Sequence, residues 1–228
     1  MRTLTGRMAR SLAAVDEEPV PDRRVRAYIG LGANVGDAEA TLVEAVRALE
    51  ALPGGRLRGV SRLYATQPVR VTDQPAFHNA VISLDIPADP VPAVGGLALL
   101  AALKATERAF GRRERRRWGP RELDLDLLVF GRARIVVERP AAARSLDADR
   151  DPEKASKMLE VPHPAAAARL FVLAPLADLA PGLVPPGWGC TVETARRWQA
   201  VIEGPAAVRP IGLWDPVGRA WRPMRPAN

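Results

Sequence analysis

Residues 112–130 read RRERRRWGPRELDLDLLVF, and the fold turns on how the second half of that stretch is read. As a β-strand, Leu123 to Phe130 sends alternate side chains to opposite faces. Leu123, Leu125, Leu127 and Val129 then fill one face, and Asp124 and Asp126 stand side by side on the other. Neighbours at i, i+2 on a strand are roughly 6 to 7 Å apart. Two carboxylates at that range repel unless a cation lies between them, and Asp is poorly suited to strands. The pattern suits Mg2+, a hard cation usually held by one or two carboxylates plus phosphate oxygens. The arginines ahead of the strand supply charge that a polyphosphate needs. The plain alternative is a half-buried edge strand with solvated aspartates.

Working outward, Val25 to Gly32 reads as a first buried strand ending in a glycine turn. Asp37 is placed to cap a helix from about Ala38 to Leu52, with Leu42, Ala45, Val46, Leu49 and Leu52 as its apolar stripe. Pro53-Gly54-Gly55 stops it. Leu57 to Tyr64 is predicted as a second strand, 65–76 as a loop, and Phe77 to Ile86 as a third strand. On that third strand Phe77, Asn79 and Val81 share one face, and His78, Ala80 and Ile82 the other. Pro92 to Phe110 is a second helix, weakened near its start by Gly95 and Gly96, with Leu99, Leu100, Leu103 and Phe110 as its stripe. Glu107 falls on the same stripe, which puts it either at the rim or aimed at a site.

Beyond the Asp-bearing strand, Arg134 to Val137 is a short strand, and 138–160 is expected to be a mobile insertion for want of large apolar groups. The apolar run Leu170 to Leu179 follows a Pro-His-Pro turn, and Thr191 to Ile202 is a terminal helix. The order strand, helix, strand, strand, helix, strand is the ferredoxin-like βαββαβ arrangement, an α+β sandwich with helices packed on an antiparallel sheet. One such domain is expected over 25–185, after a disordered leader at 1–24 and before a C-terminal extension at 186–228, whose Pro/Arg-rich tail beyond the terminal helix is expected to be loosely ordered.

Composition narrows the classes. At 228 residues and 47% hydrophobic, the chain has material for an ordinary core. It has no run approaching the ~20 apolar residues of a membrane span. The net charge of +7 favours anionic partners, although nearly all of it is Arg, with Lys at 104, 154 and 157 alone. One cysteine, Cys190, makes no internal disulfide, and a cytoplasmic setting is the default.

Five blocks carry a resemblance. YIGLGANVGD (28–37), SRLYATQPV (61–69), DQPAFHNAVI (73–82), RWGPRELDLDLLVFG (117–131) and VPHP with RLFVLAPLADLAP (161–181) are together similar to the bacterial 6-hydroxymethyl-7,8-dihydropterin pyrophosphokinases of folate biosynthesis. The likeness covers about residues 25 to 185. It implies transfer of pyrophosphate from MgATP to the pterin hydroxymethyl oxygen, with AMP released. It implies two Mg2+ ions on Asp124 and Asp126, and phosphate contacts from Arg121 and from Arg112 on a loop that closes over ATP. Glu107, Leu127, His163 and Arg169 correspond to residues around ATP. Phe77 and Phe171 would stack on the two faces of the pterin, and Asn79 would meet its edge. Thr66, Gln67 and Val69 would line the same pocket through their backbone, Trp118 would cover the site, and Gly32 and Asn34 would form the turn at its rim. His78 points to the other sheet face and is given no catalytic role.

The sequence departs from the pattern in two places. Glu114 occupies the second-arginine position of the basic loop, and Met158 stands where an arginine usually precedes VPHP. Arg139, Arg144, Lys154 and Lys157 are candidates to replace the latter. A catalytically impaired relative that binds pterin and ATP is therefore the alternative reading. An RNA-binding module is a further competitor, but the RNP1 pattern is missing and paired aspartates repel phosphate without metal. No nucleic-acid, membrane or obligate protein partner is expected.

Overall fold

The computed structural model describes residues 23–67, 75–111, 121–140, 158–204 and 206–224. Its elements are β1 (Arg24–Ala33), α1 (Ala38–Glu50), β2 (Arg56–Val60), β3 (Leu63–Thr66), β4 (Phe77–Pro87), α2 (Pro92–Ala109), β5 (Asp124–Phe130), β6 (Ile135–Glu138), β7 (Met158–Val161), α3 (Leu170–Leu179), α4 (Val192–Glu203), β8 (Val208–Asp215) and β9 (Ala220–Pro223).

The large sheet has seven strands in the order β5-β1-β4-β3-β8-β9, with β2 also paired to β4. Its pairings are antiparallel. The first and last strands of the βαββαβ unit, β1 and β5, lie side by side, so the ferredoxin-like arrangement stands. Helices α1 and α2 cover one face. Asp37 caps α1 by accepting from the Ala40 amide at 2.9 Å, and the expected stripe of Leu42, Ala45, Val46 and Leu49 is buried against the sheet. Fully buried leucines such as Leu42, Leu49, Leu103 and Leu125 each cost about 2 to 5 kcal/mol when cut to Ala. The glycines early in α2 bring it close to the sheet. A Cβ on Gly96 would sit 2.8 Å from the Ile135 side chain, and one on Gly95 3.3 Å from the Phe130 ring. Helices α3 and α4 cover the other face, where Val81, Leu128 and Val129 meet Leu173 and Leu176.

Four expectations are corrected. The stretch 57–64 is two strands, because Ser61 interrupts the ladder. Its hydroxyl accepts from the Val81 amide at 2.9 Å, its own amide donates to Val81 O at 2.9 Å, and its carbonyl accepts from the Trp221 indole at 2.8 Å. Strict alternation in β5 also fails. Ile29 pairs with Leu127 but Tyr28 with Val129, so Leu128 is an extra, bulged residue. Leu123, Leu125 and Leu127 stay in the core under α1 and α2, and Val129 joins Leu128 in the core under α3.

Next, 138–160 is not all insertion. Glu138 belongs to β6 and Met158 to β7, and the two pair across a small antiparallel sheet, while 141–157 lie outside the described residues. Finally, the C-terminal extension is built into the fold. Thr191 caps α4, as the sequence suggests, by accepting from the Thr194 amide at 3.1 Å. Strand β8 then pairs with β3, and β9 with β8. Trp221 is 3% exposed and meets Trp214 edge-on at 4.8 Å between centroids. Among the described residues no helix is long and apolar enough to cross a membrane.

Candidate active site

The two aspartates open β5 at the sheet's edge, and alternation turns both away from the leucine core. They line a small cleft with Gly30, Gly32, Asn79, Leu128, Phe171 and Val172. The cleft floor is bare backbone. A Cβ on Gly32 would stand 3.3 Å from Asn79 Oδ1 and 4.0 Å from Asp124 Cβ. Arg121 pairs with Asp124, whose side chain keeps 23% of its exposure. Among the described residues no group of three or more His, Cys, Asp or Glu side chains forms a metal cage. Two accessible carboxylates on one strand face fit Mg2+, which usually keeps phosphate and water oxygens for its remaining positions.

Asn34, 3% exposed, ties the rim together. Its amide donates to Arg121 O at 3.0 Å, its side-chain oxygen accepts from the Arg121 amide at 2.7 Å, and its Nδ2 donates to Pro75 O at 3.2 Å. The turn after β1 is thereby joined to the segments that lead into β4 and β5.

Glu107 and Leu127, expected beside ATP, have their side chains in the interior. Leu127 is 3% exposed and faces the core under α1 and α2. Glu107 is 2% exposed and accepts from the Leu125 amide at 2.7 Å and from Lys104 Nζ at 2.6 Å. Glu107 thus supports β5 from α2, and Leu127 anchors β5 in the core.

His163 crosses from β7 to the cleft. Its amide donates to Leu128 O at 2.9 Å, and its Nδ1 accepts from the Ala165 amide at 3.3 Å. With Nδ1 an acceptor, Nε2 carries the proton of the neutral ring and is the nitrogen left to donate. Burial pushes the imidazole below its ordinary range, and the Arg169 and Arg139 charges push the same way against Asp126 and Asp124. Arg139 follows β6 and donates from Nε to Met158 O at 2.8 Å. Burial lowers its guanidinium from the ordinary range, while Asp126, Glu107 and Glu160 act to raise it. A basic group therefore stands at Met158 after all, delivered from the opposite strand of the hairpin.

Arg169 precedes α3 and lies 5.8 Å from the centre of the Phe171 ring. Glu203 of α4 fixes this helix start by accepting from the Leu170 amide at 2.9 Å. Thr66 and Asn79 are buried partners, with Asn79 Nδ2 donating to Thr66 Oγ1 at 2.7 Å. Phe77 pairs with Thr66 and is half-buried at the start of β4, and Gln67 is exposed at the end of β3. The structure thus gathers Asp124, Asp126, Arg121, Asn79, Phe171, His163 and Arg169 around the ends of β1, β4 and β5. Val69, Arg112, Glu114 and Trp118 lie outside the described residues, as do Arg144, Lys154 and Lys157.

A larger cavity of about 400 Å³ lies elsewhere, between β3, α3, α4 and β8. Its charges are committed to one another. Arg62 meets Asp178 at 2.5 Å, Tyr64 donates to the same carboxylate at 3.0 Å, and Arg196 meets Glu193 at 2.7 Å. It offers no converging reactive groups, and the small cleft at the aspartates is the better candidate despite its size.

Lys104 is the residue that sequence reasoning left unassigned, and Arg139 is the one of the four candidates for the Met158 position that lies among the described residues. Lys104 had a signal, since it sits on the apolar stripe of α2 among Leu100, Leu103 and Glu107 in a chain with only two other lysines.

Comparison with known proteins identifies the family. Residues 28–181 match the family model for 7,8-dihydro-6-hydroxymethylpterin-pyrophosphokinase. The chain is 42% identical over 158 residues to the 2-amino-4-hydroxy-6-hydroxymethyldihydropteridine pyrophosphokinase of Pseudomonas aeruginosa, covering 69% of this chain and 82% of the relative. It is 39% identical over 178 residues to the protein of the same name from Methylorubrum extorquens, covering 78% and 94%. Among solved structures, the Plasmodium falciparum HPPK-DHPS protein with pteroate superposes with a TM-score of 0.64 at 13% identity, a likeness of fold. That match covers 89% of this chain and 48% of the longer one. The family match ends before α4, β8 and β9.

Proposed function

Because the chain belongs to the 7,8-dihydro-6-hydroxymethylpterin-pyrophosphokinase family, we propose a division of labour among its side chains for that family's reaction. The enzyme transfers the β,γ-pyrophosphoryl group of ATP to the hydroxymethyl oxygen of 6-hydroxymethyl-7,8-dihydropterin, a step of folate biosynthesis. A bond forms between that oxygen and the β-phosphorus. The bond from the β-phosphorus to the α-phosphate oxygen breaks, AMP leaves with the electron pair, and the hydroxyl proton is released.

The observation that carries the assignment is the cleft in which Asp124 and Asp126, on one face of β5, meet Asn79 of β4 and Phe171 of α3. Asp124 and Asp126 hold two Mg2+ ions, which when bound neutralise and orient the phosphate oxygens. Arg121, which pairs with Asp124, is assigned to the same phosphates. His163 donates from Nε2 toward the nucleotide, and Arg169 adds charge beside it. Arg139 takes the place of the arginine missing at Met158, which answers the departure that suggested an impaired relative. Asn79, held by Thr66, offers its free amide oxygen to the edge of the pterin, and Phe77 and Phe171 stack on its faces. Gln67 is assigned to the pocket through its backbone, as is Val69, which lies outside the described residues, by its place in the motif. Arg112 and Trp118, outside the described residues, are assigned by their place in the motif to phosphate and to the exclusion of water that would compete for the pyrophosphoryl group. We place the reaction in the cytoplasm, with ATP and the pterin as partners.

Incubation with ATP, Mg2+ and the pterin, followed by separation of the nucleotides, tests this. AMP appearing only when the pterin is present is the expected result. ADP, or AMP formed without pterin, overturns it.

A further inference from the structure

Among the described residues β5 is the last strand on its side of the sheet, so its outward N–H and C=O groups have no strand to pair with. At Leu125, the residue between the two aspartates, side chains of α2 take both groups. The amide donates to Glu107 Oε1 at 2.7 Å, and the carbonyl accepts from Lys104 Nζ at 2.9 Å. Lys104 also donates to that Glu107 oxygen at 2.6 Å, which closes a ring of three contacts. Lys104 is 6% exposed and Glu107 2%.

A buried ion pair is a weak device for stability alone, since apolar replacements often do as well. Its geometry here does something an apolar pair would not. It supplies one acceptor and one donor at the spacing of a neighbouring strand's backbone. The peptides held this way are those that set the separation and direction of Asp124 and Asp126.

We propose that Lys104 is a positioning residue for the phosphate-transfer site, acting with Glu107 as a surrogate strand that fixes the two aspartates of β5. The proposal rests on the reading of those aspartates as Mg2+ ligands.

The test compares wild type with Lys104→Gln and with the neutral pair Lys104→Met/Glu107→Gln, each first shown to unfold cooperatively. Lys104→Gln keeps N–H donors without charge and is the conservative rescue. Two quantities are read: exchange of the Leu125 amide by NMR, and the Mg2+ concentration that half-saturates binding of a non-hydrolysable ATP analogue. In the neutral pair, Leu125 exchange is expected to accelerate about tenfold or more, as loss of a charged hydrogen bond implies, with α1 amides unchanged. The Mg2+ requirement should rise about tenfold in parallel, and Lys104→Gln should fall between. Unchanged Leu125 exchange overturns the surrogate strand. Faster exchange with an unchanged Mg2+ requirement overturns the link to the aspartates. Mg2+-independent binding in wild type instead removes the reading of the aspartates, and Leu125 exchange still reports on the anchor by itself.

Discussion

At one edge of the sheet, β5 is completed by groups that are not strands, with Lys104 and Glu107 at Leu125 and the His163 amide at Leu128. At the other, β3 is completed by a true strand, β8, which β9 follows. The first closure depends on a few directional contacts and leaves the face bearing Asp124 and Asp126 open to a cleft. The second is a backbone ladder, with one register shift between Leu63 and Tyr64, reinforced by apolar burial and by Trp221 reaching Ser61 across the sheet. The edge proposed to carry the chemistry is held by a few polar side-chain contacts, and the opposite edge by backbone pairing and indole rings. Substitutions of the cleft-facing aspartates at the first should therefore reduce rate with little loss of fold, and substitution of the buried indole at the second should do the reverse.

The sharpest form of that contrast is Asp124→Asn or Asp126→Asn. Each should lower kcat by about 10³-fold, the scale of losing a site-directed electrostatic contact, while circular dichroism and the melting curve stay near wild type. Next is Trp221→Ala at the opposite edge. Removal of this buried indole is expected to cost about 3 to 4 kcal/mol in chemical denaturation, with kcat of the folded fraction little changed. A comparable fall in kcat for that variant would break the distinction between the edges. Arg139→Ala should raise KM for ATP about tenfold while leaving KM for the pterin alone, as expected for one charge-assisted contact to phosphate.

The smallest effect concerns α4. Arg196 and Arg197 pull the Glu193 carboxyl down to about 2 from an ordinary 4.5. A carboxyl lowered by folding stabilises the folded state above its unfolded value and loses that contribution as pH falls toward the folded one. Glu193→Gln should therefore flatten the acid limb of stability between about pH 4.5 and 2, by roughly 0.5 kcal/mol or less for so exposed a group, and leave activity at pH 7 unchanged.

The same two edges differ in how much the sequence disclosed. The first was legible because its signals are local. Alternation exposed Asp124 and Asp126, the cap at Asp37 and the stripe of α1 set the first helix, and the five motif blocks brought in Arg121, Asn79, His163, Arg169 and Phe171. What escaped there depends on contacts made in three dimensions. The bulge at Leu128 follows from pairing with β1, where Gly30 leaves room for the displaced side chain, a Cβ there coming within 3.5 Å of Leu128. The roles of Lys104 and Glu107 appear only when α2 is laid against an unpaired strand edge.

The second edge was missed for the opposite reason. Pro210, Pro216 and Pro223 argue against strands by local rules, and no sequence window shows that β3 lacks a neighbour. One clue was present. Asp215-Pro216-Val217-Gly218 is a turn signal, and Asp215 does bind the Val217 and Gly218 amides at 3.1 and 3.0 Å. The split at Ser61 is likewise tertiary, because its hydroxyl replaces a ladder bond to Val81.

The most direct test of the account is AMP formation with ATP and the pterin across a Mg2+ titration, for wild type and the Asp124→Asn/Asp126→Asn double variant at matched folded concentration. The account expects Mg2+-dependent AMP from wild type and none above background from the variant at any Mg2+ concentration. AMP formation by the folded variant at near wild-type rates would contradict it.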